Sequence, residues 1–236
     1  MSFDLGFAFH ALLLIASALP TTFMLTFVST GCGLLIGIVV ALVRLNNVRV
    51  VRHLAAFYVS FIRGTPVLMH LFLVYFGLPV LIDEVCSWFG AAGVSVRIPL
   101  VWFVLTAFSL TAGAYLSEVV RSGIAAVDRG QLEAAYAVGM TTSQAYRRIV
   151  LPQALAASLP NLANIVVGML HGSTLAFTLT VVEIFGKTQL VAAQGWNYLE
   201  SFAAAALLYW GLTVLIENIA AGLERRINRF AKGGVA

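Results

Sequence analysis

The residues able to do chemistry are few, and most of them stand in apolar sequence. Arg63, Glu118 and Glu217 are charges in or beside such runs. A lone charge at the centre of a membrane helix costs roughly 2.5–3.5 kcal/mol on insertion scales. Arg63 therefore calls for a carboxylate, and Glu118 and Glu217 are the candidates, which makes these three structural charges. A second set is neutral: Thr65, His70, Asn161, Asn164, His171, Ser173 and Thr174. Hydroxyl, amide and imidazole groups of this kind can meet the ammonium and carboxylate of a small zwitterion in passage. The same groups can instead tie helices together, at about 0.6 kcal/mol per bond. His70 and His171 are also the places where pH could enter such a pathway.

Catalysis is a poor fit. Neither H-E-x-x-H nor G-x-S-x-G occurs. His171 and Ser173 are two residues apart, so on a helix they do not face one another. Gly186-Lys187-Thr188 has the ending of a phosphate-binding loop, but Val181 occupies the place of its first glycine and no strand pattern precedes it. Cys32 and Cys86 form no C-x-x-C pair and read as unpaired, without a role. No metal-ligand spacing is present. The chain reads as a non-enzyme with no cofactor of its own.

The elements that position these residues follow from composition. Of 236 residues, 61% are hydrophobic and only 10% are charged, against about 25% charged in ordinary globular chains. Mean hydropathy is +0.96. So few charges cannot cover a soluble surface of this size. The chain is an all-α integral membrane protein, and a disordered chain, a nucleic-acid binder and a disulfide-stapled secreted domain are excluded. One span needs about 20 apolar residues. The runs give five: about 21–43 after Pro20, 54–81, 98–117, 160–182 beginning at Pro160, and 201–222. A short interfacial segment precedes the first.

Lys and Arg set the direction. Arg44, Arg49, Arg52, Arg121, Arg129, Arg147, Arg148, Arg225, Arg226, Arg229 and Lys232 fall on one side of this arrangement. Only Arg97 and Lys187 fall on the other. The positive-inside rule puts the first group in the cytoplasm, the N-terminus outside and the C-terminus inside. The first positive residue is Arg44, so no basic leader precedes the first apolar run.

Residues 118–152 form the sizeable cytoplasmic segment. Asp128 and Gln131 have capping-box spacing, and residues 131–138 are good helix formers. Gly139 suits a left-handed C-terminal cap. Thr142 or Ser143 can cap a second short helix that Pro152 limits. Ala134 and Ala135 permit a partner to approach closely. Gly33 and Gly37 form a G-x-x-x-G in the first span, a pattern that allows helices to pack closely.

Glu133-Ala134-Ala135, Gly139, Ile149 and Leu151-Pro152 have the spacing of the EAA signature of ABC importer permeases. Arg63-Gly64-Thr65-Pro66 and Gly113-Ala114-Tyr115, Glu118 and Arg121 resemble the R-G-T-P and G-A-Y-x-x-E-x-x-R stretches of the polar amino-acid permeases. Gly130-Gln131 and Gln153 agree as well. The likeness runs from about Pro20 to Phe230. It departs at His171-Gly172-Ser173-Thr174-Leu175, where relatives often carry Lys-Asp before Thr-Ser-Leu, and at His70, where they often carry Gln.

The resemblance implies a MetI-like ABC importer permease fold of five transmembrane helices in a bacterial inner membrane. It implies uptake of a polar amino acid, with cystine or a related amino acid as the first candidate. A cytoplasmic ATPase dimer, holding ATP and Mg²⁺, would receive Glu133, Ala134, Ala135, Gly139, Ile149, Leu151 and Pro152. A second permease, the same or similar, and an extracytoplasmic amino-acid-binding protein complete the expected partners, within membrane lipid. The rival reading is an ATP-independent carrier or channel, which has no need of a capped cytoplasmic helix.

Overall fold

The computed structural model describes residues 3–45, 49–91 and 93–232. The elements are α1 (Leu5–Ala16), α2 (Leu19–Leu45), α3 (Arg49–Gly64), α4 (Val67–Ser87), α5 (Leu100–Ala125), α6 (Arg129–Ala137), α7 (Thr142–Leu179), α8 (Ile184–Gly195) and α9 (Tyr198–Lys232). Among the described residues, five helical stretches are long and apolar enough to cross a membrane: α2, α4, α5, α7 and α9 to Ile227. Helices close their own backbone hydrogen bonds, which lipid cannot satisfy. The surface is apolar to match, with Leu35, Val39, Phe76, Val80, Trp102 and Leu207 among its exposed side chains.

The second, third and fourth spans differ most from the sequence reading. Residues 54–81 do not form one helix. The chain breaks at Thr65 and Pro66, because proline disfavours helical geometry in the residue before it, and Pro66 caps α4 with extended backbone. The third helix runs on past 117 to Ala125, since Glu118 and Arg121 are paired within it. The fourth begins at Thr142 rather than at Pro160. Pro152 lies in the first turn after a π turn over Tyr146–Val150, and a π turn re-spaces the ladder where proline supplies no N–H. Pro160 is inside the helix.

α5 is the central post, with two-thirds of its apolar window buried. Its Val104, Phe108, Ala112 and Leu116 form one core cluster with Leu25 of α2, Leu71 of α4 and Met169 of α7. A second cluster joins α1, α7, α8 and α9 through Ile15, Leu170, Ile184 and Leu212. α2 lies parallel to α5 at very close range. A β-carbon on Gly33 would stand 2.6 Å from the β-carbon of Ala112, and one on Gly37 would stand 2.9 Å from the Ser117 nitrogen. The G-x-x-x-G pattern is therefore a packing seam. Gly37→Leu should lower the thermal midpoint in detergent and reduce recovery of folded protein, because overpacking against backbone costs roughly 1–3 kcal/mol or more. Gly31→Leu, with open space around it, should leave both unchanged. Equal behaviour of the two variants would contradict the seam.

Candidate functional site

The segment between α5 and α7 folds as two capped pieces. Asp128 accepts a hydrogen bond from the Gly130 N–H at 2.6 Å and starts α6. α6 ends in a Schellman cap. Met140 N–H donates to the Ala135 carbonyl at 3.1 Å, and Gly139 N–H donates to Tyr136 at 3.0 Å. Gly139 has φ +81°, a conformation open to glycine and costly for most other residues. The capping box forms one piece later than the spacing at Asp128 and Gln131 suggests. Thr141 caps α7, neither Thr142 nor Ser143 doing so, with Gln144 N–H donating to its hydroxyl at 3.4 Å and Thr141 N–H donating to the Gln144 side chain at 3.0 Å.

The EAA residues do not share one environment. Glu133, Ala134 and Gly139 are exposed, whereas Ala135 is buried at 2% exposure. Ala135 therefore serves as packing inside the segment, where α6 rests on the π turn. Ala145 and Val150 are buried too. Ile149 is half-buried, and Leu151 and Pro152 are exposed. The Gln153 side chain donates to the Ile149 carbonyl at 3.1 Å, across the π turn.

The charges at this end converge on Glu118. Its Oε1 pairs with Arg44 of α2. Its Oε2 accepts from Arg121 Nε at 2.9 Å and Nη2 at 2.7 Å. Arg63 of α3 stands farther off, 3.9 Å from Oε1, with its guanidinium 5.7 Å from the Tyr115 ring centre. Glu118 is thus the partner expected for Arg63, but Arg44 and Arg121 hold it more closely. Glu217 is exposed on α9 and forms no ion pair among the described residues. It is not the partner of Arg63.

The neutral polar set divides in two. His70 is buried, with Nε2 2.7 Å from the Thr65 hydroxyl and Nδ1 3.0 Å from the Thr111 hydroxyl of α5. That bridge holds the α3–α4 break against α5. Ser173 is buried and donates to the Leu170 carbonyl at 2.7 Å; Thr174 donates to the His171 carbonyl at 2.8 Å. Asn161, Asn164 and His171 are exposed on α7, three, then seven, residues apart. Such spacing keeps side chains on one side of a helix. His171 Nε2 lies 3.1 Å from the Thr213 hydroxyl of α9. Exposed amides in mid-span suit a wet face better than lipid.

Glu183 is a buried carboxylate that the sequence reading passed over. It is fully buried. Its carboxylate accepts from the N–H groups of Phe185 at 2.9 Å and Gly186 at 2.8 Å, and from the Tyr209 hydroxyl at 2.7 Å. Burial pushes its pKa up, opposing three donors that pull it down. Its signal was a lone carboxylate directly before a helix start. The neighbouring Gly186-Lys187-Thr188 is accounted for by packing: a β-carbon on Gly186 would meet the Phe177 ring at 2.4 Å, and the Thr188 hydroxyl donates to the Ile184 carbonyl at 2.7 Å.

Residues 33–229 match the family described as the binding-protein-dependent transport system inner membrane component. The chain is 35% identical to the probable amino-acid ABC transporter permease PatM of Vibrio harveyi, over 97% of this chain and 98% of the relative. It is 34% identical to the L-cystine transport system permease TcyL of Bacillus subtilis, over 97% and 93%. A crystal structure of an amino acid ABC transporter with histidines superposes with TM-score 0.81 at 30% identity, covering 96% of this chain and 100% of that one. The helical architecture is that of MetI-like permeases. By the extent of these matches and by its fold, the chain belongs to the inner-membrane permease family of binding-protein-dependent ABC importers.

Proposed function

We propose that this chain is the transmembrane permease subunit of an ATP-driven importer for a polar amino acid, with cystine or a close relative as the first substrate to test. The observation that carries this reading is the short helix α6, capped at both ends and presenting Glu133 and Ala134 outward from the EAA segment. A cytoplasmic ATPase dimer, binding ATP and Mg²⁺, takes up that face. A second permease of the same or similar sequence supplies the other half of the pathway. A binding protein outside delivers the amino acid. The basic end of the bundle faces the cytoplasm, which leaves the N-terminus outside.

Asn161, Asn164 and His171 form this chain's wall of the pathway, where hydrogen bonds can replace part of the substrate's hydration. Closure of the ATPases displaces α6. The cap at Gly139 passes the displacement to α7, and the wall moves with it, as rigid elements do in alternating states.

The test is purification from the native membrane in mild detergent, with the co-purifying proteins identified. A stoichiometric ATPase, and ATP-dependent cystine uptake after reconstitution, are expected. An intact, folded chain that transports without any ATPase would favour the ATP-independent carrier and overturn the proposal. A second permease of different sequence in the preparation would establish a heterodimer.

A further inference from the structure

The charges around Glu118 do not balance. Among the described residues, three guanidiniums, from α2, α3 and α5, surround one carboxylate. Both oxygens of that carboxylate already accept from Arg44 and Arg121. Arg63 is left as a surplus cation, half-exposed, beside an open cavity of about 390 Å³ lined by Arg44, Ala56, Ser60, Arg63, Gly64 and Glu118. A cation in that setting calls for an anion.

The depth of the cavity narrows the anion. Glu118 lies 18 residues along α5 from Leu100, or roughly 27 Å at 1.5 Å per residue. The hydrocarbon core is about 30 Å thick. The cluster therefore stands at head-group level, at the basic end of the bundle. α3 is amphipathic and is not among the spanning helices. Arg52, Ala56, Ser60 and Arg63 are spaced along one side of it, while Val50, Leu54, Phe57 and Phe61 are exposed on another. A helix with cations on one side and aromatic and aliphatic residues on the other lies in the membrane interface.

We propose that this cavity binds the phosphate of an anionic lipid head group, with Arg63 as its principal cation, Ser60 as a hydroxyl donor, and Phe57 and Phe61 against the acyl chains. A soluble anion would have no use for the apolar side of α3. The site is independent of which amino acid is carried, and it requires only that the chain spans a bilayer.

The test uses the purified transporter in phosphatidylcholine nanodiscs with spin-labelled phosphatidylglycerol or spin-labelled phosphatidylcholine. Wild type should retain the anionic probe roughly fivefold better, the effect of about one interfacial cation. Arg63→Gln should bring the two probes to parity. Ser60→Glu, which places a carboxylate at the exposed mouth without touching the Glu118 pairs, should do the same and decides the matter if Arg63→Gln does not fold. Arg225→Gln, which removes the same charge from α9, should retain the preference. Equal retention of both probes by wild type, or equal losses in Arg63→Gln and Arg225→Gln, would overturn the proposal. Displacement of the labelled lipid by millimolar inorganic phosphate would reassign the cavity to a soluble anion.

Discussion

Glu183→Ala is expected to cost more stability than any other single truncation in the bundle. The change strands the Phe185 and Gly186 N–H groups and the Tyr209 hydroxyl, all of which now donate to one buried carboxylate. Each buried donor left without an acceptor costs about 1–3 kcal/mol, so the sum is roughly 3 kcal/mol or more. Native proteins as a class have only about 5–15 kcal/mol in hand. Tyr209→Phe removes one donor and leaves the carboxylate its two backbone partners, so it should cost about 1 kcal/mol. Glu183→Gln keeps the size and one acceptor oxygen but turns an amide NH₂ toward a donor, and should fall between. Thermal midpoints of the three variants in one detergent give the order. A Glu183→Ala midpoint no lower than that of Tyr209→Phe would show that the Phe185 and Gly186 N–H groups at the start of α8 lose nothing when Glu183 is removed.

Ala135→Trp should abolish uptake. Ala135 is buried in the segment where α6 rests on the π turn, and an indole there would overpack that junction. The Schellman cap uses the carbonyl of the same residue, so the helix end loosens as well. Membrane insertion should be unaffected, because residue 135 lies outside the spans. Ala134→Trp is the informative neighbour. Its side chain points into open surroundings, so α6 should stay folded while the proposed ATPase face is blocked. Both variants should lose transport, and only Ala135→Trp should make residues 126–142 sensitive to protease. Normal uptake by Ala135→Trp would rule out the segment as the coupling element.

How much of this was legible depended on whether a feature is local. Gly139 was readable because a left-handed C-terminal cap needs only its own few residues. The Gly33 and Gly37 seam was readable as a spacing, though its partner α5 was not. Pro66 was visible, but whether an X-Pro pair bends a helix or ends it depends on the contacts made by its neighbours; here His70 bridges Thr65 and Thr111 and fixes the break. Pro152 and Pro160 were expected to mark helix ends, and the helix runs through both; a π turn precedes the first and accommodates it. Arg44 counted only as a cytoplasmic charge, and Arg121 as that and as a position of the G-A-Y-x-x-E-x-x-R stretch. That they meet on Glu118 requires the parallel packing of α2 and α5, which no periodicity encodes. Glu183 was lost at the edge of a run, where hydropathy ends a span and says nothing of burial.

The unbroken course of Thr142–Leu179 has a mechanical consequence. Thirty-eight residues, the seven of Ser173–Leu179 in 3-10 form, make a rod of roughly 60 Å at 1.5 Å per residue and 2.0 Å over the 3-10 turns. Pivoted near one end, such a rod turns a tilt of about 5° into a travel of roughly 5 Å at its far tip. The π turn at Tyr146–Val150 lies close to the end that carries the EAA residues, so any slack in the rod is placed where the force would enter. Beyond it, Asn161, Asn164 and His171 ride on a single stiff arm, and their excursions grow in proportion to their distance from the fulcrum.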